Sequence, residues 1–178
     1  MKKLIKKTPT SDEINHISRV EPLSLKDIIY LPIKSLLSTI DLQKALFLSS
    51  FFTYGVGDGA TAVYMMEITG VMREGNPVVR FIYSSSGQLS CLAYKVWYVT
   101  VVLSIVWIVS KKKQIYWTIN GFLFALTLGG IMAMRANTMA AFGMDPPAPG
   151  PLVITFLFMV ILFVMIGDQM DNLQIDVR

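Results

Sequence analysis

Apolar residues in this chain are gathered into long runs rather than spread at the spacing of a soluble core. Four windows stand out: Leu42–Met72, Leu89–Val109, Ile115–Met134 and Leu152–Gly167. A helix needs about 20 predominantly apolar residues to cross a hydrocarbon layer of ~30 Å. The fourth window is the shortest, but "LVITFLFMVILFVMIG" contains no charge and is the most apolar. So many greasy windows cannot all be covered by so little polar chain. The pattern predicts an all-α polytopic membrane protein with four transmembrane helices.

The flanks have a different character. Residues 1–23 read as a polar N-terminal tail. From Ser24, a capping-box start "SLKD" precedes Leu25, Ile28, Ile29, Ile33, Leu36 and Ile40, which recur at helical spacing with Lys26, Lys34 and Ser38 off the stripe. Residues 24–40 are therefore expected to form an amphipathic interfacial helix, with Pro32 kinking or dividing it. The transmembrane domain then covers 41–170 and a C-terminal tail 171–178. Two longer connections, "REGNPVVRFIYSSSGQ" and "FGMDPPAPGP", join windows one to two and three to four. Asn76-Pro77 reads as a turn and "SSSG" as a flexible one.

Charge orients the prediction. Of 178 residues 53% are hydrophobic and only 16% charged, against ~25% charged in soluble domains. Eight Lys and Arg, from Lys2 to Lys44, lie at or before the start of the first window, and Lys111, Lys112 and Lys113 crowd the turn between windows two and three. Basic residues collect on the cytoplasmic side, so both termini are expected there, in the plasma membrane, which an even number of spans allows. The net charge of +4 then faces anionic lipids at the cytoplasmic surface. Aromatics are not interleaved with the basic residues, so no nucleic-acid partner is expected. The N-terminus has a basic start but no apolar core behind it, so it does not read as a signal peptide. His16 and Cys91 are the only residues of their types, which argues against a metal site or a Cys–His nucleophile pair.

Polar groups inside the windows carry the candidate chemistry, because such residues are costly in a bilayer and usually face the bundle interior or a cavity. They are Asp58, Glu67 and Lys95. Thr61 and Tyr54 lie three and four residues from Asp58 and share its face. Glu67 is nine residues on, about half a turn out of phase. Counting residues from the window ends favours Lys95 pairing with Glu67 over Lys95 pairing with Asp58. Gly55 and Gly59 form a GxxxG pair, and Gly129 and Gly130 lie in "TLGGIMA"; both are expected to be helix-packing positions. Asn120, Arg135 and Asn137 are assigned to the ends of window three as interfacial groups or interhelical hydrogen-bonders. Asp168 and Asp171 are expected in solvent beyond window four.

Two motif readings fail on their own residues. "DGATA" is similar to the start of the CDP-alcohol phosphotransferase signature, but Gly55 and Val63 occupy its flanking Asp and Arg places, and the downstream Asp pair is missing. One carboxylate cannot hold a divalent ion. "GVGDG" lacks the preceding strand of a dinucleotide fingerprint. No metal and no cofactor is expected.

Asp58-x-x-Thr61, followed by Glu74-x-Asn76-Pro77 and then Lys95, resembles a family of small multi-pass prokaryotic membrane proteins, frequent in archaea and catalogued only as a domain of unknown function. The resemblance covers about Phe51 to Val109. It implies a shared membrane topology, with Glu74, Asn76 and Pro77 as an external loop motif, and makes Asp58, Glu74, Asn76 and Lys95 one constellation across two spans and the loop between them. It implies no activity. The leading functional expectation is a non-enzymatic subunit or self-associating component of a membrane assembly. The alternative is a small ion- or proton-coupled transporter or channel using Asp58 with Lys95. An intramembrane enzyme is the third.

Overall fold

A computed structural model describes residues 41–176. The expected polar tail (1–23) and amphipathic helix (24–40) lie outside the described residues. Within them the chain is all-helical, with no strand. Helix α1 spans Leu42–Ser50, and a π-helical segment Phe51–Gly57 continues it into α2, Asp58–Thr69. Helix α3 spans Pro77–Ser110, α4 Tyr116–Ala141 and α5 Pro149–Asp176. Short 3-10 turns, Val71–Arg73 and Lys113–Ile115, precede α3 and α4.

Three of these helices are long and apolar enough to cross a membrane: Pro77–Ser110, Tyr116–Ala141 and the Pro149–Leu173 part of α5. The first predicted window is helical from Leu42 to Thr69, but the π-helical segment divides it, so neither piece alone has the length. At that segment the Asp58 amide donates to the Thr53 carbonyl, five residues back. Such insertions rotate every later side chain relative to the earlier ones. Here the rotation aims Asp58 between α3 and α4.

The helices are longer than their apolar windows, and the second is the clearest case. Residues 77–86, expected in a loop, are helical. Asn76 caps this helix, its Oδ1 accepting from the Val78 amide at 3.0 Å, and Pro77 takes the first helical position, where its missing N–H costs nothing. The signal read as a turn is a helix start. "SSSG" is helical as well until Gly87, whose φ of 79° and ψ of −176° break the helical path and divide α3 there. Helix α4 runs seven residues past the predicted Met134 end, and α5 continues through the expected C-terminal tail to Asp176.

Asp171 explains that last extension. It is buried rather than in solvent, at 4% exposure. Its carboxylate accepts from the amides of Trp117 and Thr118 and from Thr118 Oγ1, at 2.9, 2.8 and 2.8 Å. A carboxylate on α5 thus caps the N-terminus of α4, where the helix dipole favours negative charge. Close backbone approach supports the contact. A Cβ on Gly121 would strike the Phe163 carbonyl, and one on Gly167 the Trp117 carbonyl.

The packing has two cores. Val99, Leu103, Val106, Ile119, Leu123 and Leu126 fill the half nearest the α3–α4 turn. Met65, Met66, Val79, Cys91, Ala140 and Ala141 form a second cluster toward the opposite end. Ser50 is fully buried between α1 and α4, donating to the Leu123 carbonyl at 2.8 Å.

Candidate functional site

The expected packing glycines fix how α2 meets its neighbours. A Cβ on Gly55 would lie 3.4 Å from Val99 Cγ1, and one on Gly59 would lie 2.8 Å from Leu92 Cδ1 and 3.5 Å from Lys95 Cβ. The GxxxG face therefore seats α3 of the same chain. Gly130 seats the backbone of Thr53 and Tyr54, where a Cβ would lie 2.5 Å from the Tyr54 nitrogen, and Gly129 seats the Phe156 ring just as closely. All four glycines are filled by intrachain neighbours.

That register brings Lys95 level with Gly59 and against Asp58. Lys95 Nζ donates to Asp58 Oδ2 at 2.8 Å, with the two side chains 14% and 16% exposed. The pairing with Glu67 favoured by residue counting does not form, and Glu67 is exposed on the outer side of α2. Counting from window ends missed the register because helix contact is set by where the glycines admit a neighbour. Glu67 lies eight residues beyond Gly59, about 12 Å along the axis.

Asn137 completes the site from α4. Its Nδ2 donates to Asp58 Oδ1 at 2.9 Å and to Thr61 Oγ1 at 3.2 Å. Thr61 donates its own hydroxyl to the Gly57 carbonyl at 2.9 Å, beside the π-helical segment. Tyr54, expected on this face, stacks instead on Phe156 with ring centroids 5.9 Å apart. Asp58 is thus the junction of three helices, with one charged and one neutral donor. The sequence marks Asn137 as an interhelical hydrogen-bonder but leaves it at a helix end. The available signal was the small-residue stripe Ala133, Ala136 and Ala140 around it, which marks an inward face.

Above this junction lies a cavity of ≈ 670 Å³. Asp58, Lys95 and Asn137 form its floor, and Met65, Ala133, Ala136, Ala140, Leu152 and Val153 its apolar walls. Its far end is bounded by Arg73, Glu74, Gly75 and Asn76 from one connection and by Asp145 to Pro149 from the other. The two connections meet where Gly75 faces Pro149, which a Cβ would approach to 3.3 Å. Asp58, Lys95, Glu74 and Asn76 therefore all line one space. Glu74 and Asn76 also hold the loop itself: Glu74 Oε1 accepts from the Asn76 amide at 2.8 Å, and Asn76 caps α3. No group of three or more metal-ligating side chains occurs among the described residues.

Chemically, the floor is an ion pair with hydrogen bonds on both carboxylate oxygens, in a space large enough for a small molecule. Pockets of about 300–1,000 Å³ with apolar walls and a few convergent polar groups are the usual form of small-molecule sites.

Residues 49–143 match the family model described as Domain of unknown function (DUF5658), just over half of the chain. The match reaches beyond the Phe51–Val109 stretch of the sequence resemblance and takes in all of α4 with Asn137. Neither a curated protein nor a solved structure matches.

Proposed function

This chain belongs to that family of unknown function, and we propose that it is a non-enzymatic membrane protein that binds a small solute in a cavity within its helical bundle. One observation carries the reading: the cavity ends on a charged, hydrogen-bonded floor formed by α2, α3 and α4. In this reading the chain crosses the plasma membrane four times, its divided first helix included. Both termini are cytoplasmic and meet anionic lipids. The cavity faces the outside, between the two long connections, and Asp-x-x-Thr, Glu-x-Asn-Pro and Lys are the family pattern that builds it.

Binding is favoured over passage because the other half of the bundle is filled by the Val99-to-Leu126 core. Self-association draws less support than it does from the sequence alone, since Gly55, Gly59, Gly129 and Gly130 already seat intrachain neighbours. The chemistry needed for an enzyme, a nucleophile with its base or a metal set, is not assembled on the cavity floor.

The test is access. Ala136→Cys, in a Cys91→Ala background and reconstituted in vesicles of known orientation, should react with a membrane-impermeant thiol reagent from the outside only. A thiol at 136 that resists the reagent from both sides, or reacts only from inside, overturns the reading.

A further inference from the structure

The cavity floor presents one charge of each sign with hydrogen-bonding capacity to spare. The Lys95 ammonium has three donors, and among the described residues only Asp58 Oδ2 receives one. Asn137 spends its Nδ2 on Asp58 and Thr61, which leaves its Oδ1 as an acceptor on the floor. The Asp58 carboxylate accepts one hydrogen bond on each oxygen and has lone pairs left over.

Charge balance selects the ligand class. A simple cation drawn to Asp58 must sit beside the Lys95 ammonium or displace it, leaving that ammonium without a counter-charge. A simple anion drawn to Lys95 meets Asp58 in the same way. Stranding one member of a partly buried pair is strongly unfavourable. A molecule carrying both charges a few bonds apart meets neither obstacle. Its ammonium N–H groups have Asp58 and Asn137 Oδ1 as acceptors, and its oxyanion has the free Lys95 donors. The pair is then extended into a four-charge array with no member unpaired. The apolar walls beside the floor, among them Ala133, Ala136 and Ala140, add no charge there, and the other charged lining residues, Arg73, Glu74 and Asp145, stand at the far end.

We infer that the cavity binds a zwitterion bearing a primary ammonium and an oxyanion, either a free amino acid or the ethanolamine phosphate of a lipid headgroup. The inference rests on the solute-binding reading above.

The experiment uses the full chain in phosphatidylcholine nanodiscs, whose quaternary ammonium has no N–H to offer Asp58. Thermal unfolding is followed by tryptophan fluorescence with a panel of α-amino acids, γ-aminobutyrate and phosphoethanolamine, and with methylammonium and acetate as single-signed controls. At least one zwitterion should raise the midpoint in a saturating manner, at concentrations where methylammonium and acetate, separately or together, do nothing. The Asp58→Asn/Lys95→Gln double variant, which removes both charges and strands neither, should lose that shift. If phosphatidylethanolamine in the nanodisc raises the midpoint and suppresses the response to the solutes, the headgroup is the occupant and the ligand chemistry stands. A single-signed ion that stabilises as strongly as the best zwitterion overturns the inference. So does an undiminished shift in the double variant, or silence across the whole panel and phosphatidylethanolamine. If residue 136 is labelled from outside and the panel is silent, the ligand class alone falls; if residue 136 is not labelled, the solute-binding reading falls with it.

Discussion

Asp171 and Asp58 are both carboxylates held by donors from a neighbouring helix, and they are used in opposite ways. Asp171 is 4% exposed, and its donors are two backbone amides and a hydroxyl at one helix terminus. The glycines beside it, Gly121 and Gly167, bring the backbones of the two helices into contact. Asp58 is held by an ammonium and a side-chain amide, both on long or rotatable side chains, and it lines open space. The first arrangement is a fastening, with its electrostatics completed by fixed dipoles. The second leaves donors and acceptors for a visitor. A buried carboxylate in a helix is therefore no sign of function by itself; what separates the two is whether the partners leave capacity and room.

Away from the cavity floor, the largest effect is expected where the fastened half is disturbed. Gly121→Leu must push α4 and α5 apart at the Phe163 backbone, since no flexible side chain is there to yield. It should cost about 3 kcal/mol, the upper end of ordinary overpacking, read as a lowered unfolding midpoint in denaturant. A cost near zero would show that the two helices do not touch there.

Next in size is Asp171→Ala. It removes the cap from two amides and should cost about 2 kcal/mol. Outside labelling of Ala136→Cys should be unchanged, because the cap and the cavity lie in different halves. Altered labelling would mean that the two halves move as one.

The smallest effect tests the loop that bounds the cavity. Asn76→Ala should cost about 1 kcal/mol through the lost helix cap, and Asn76→Asp should restore most of it. If neither variant changes stability, the helical stretch that begins at Pro77 does not depend on that cap.

How much of this could be read from the sequence depended on the range of the interaction. Apolar runs mark helices long and apolar enough to cross a membrane, so the helical class and the approximate positions of α3, α4 and α5 were legible. Asp58 and Lys95 were legible as residues that hydrocarbon disfavours. Their pairing was not, because it depends on Gly59 admitting Lys95 across two helices, a contact that no count along one helix contains. The π-helical segment was hidden for a related reason: it changes the phase of a helix without changing its composition. Asn76-Pro77 shows the ambiguity of a short signal, since the same dipeptide begins a turn or a helix according to the residues on its C-terminal side. Asp171 looked solvated because it lies beyond the last apolar run, and only the position of the α4 terminus brings it inside. The constellation named by the family resemblance proved to have two layers. Glu74 and Asn76 build the loop, while Asp58 and Lys95 form the floor, and all four line one cavity.

The most direct measurement is a double-mutant cycle on the floor, read as unfolding free energy in mixed micelles. Asp58→Asn and Lys95→Gln should each cost about 3 kcal/mol by stranding the other charge, and the double variant should recover much of the loss. Glu67→Gln with Lys95→Gln serves as the control and should be additive. Additive costs for Asp58 with Lys95, or coupling of Lys95 to Glu67, would contradict the register and with it the site.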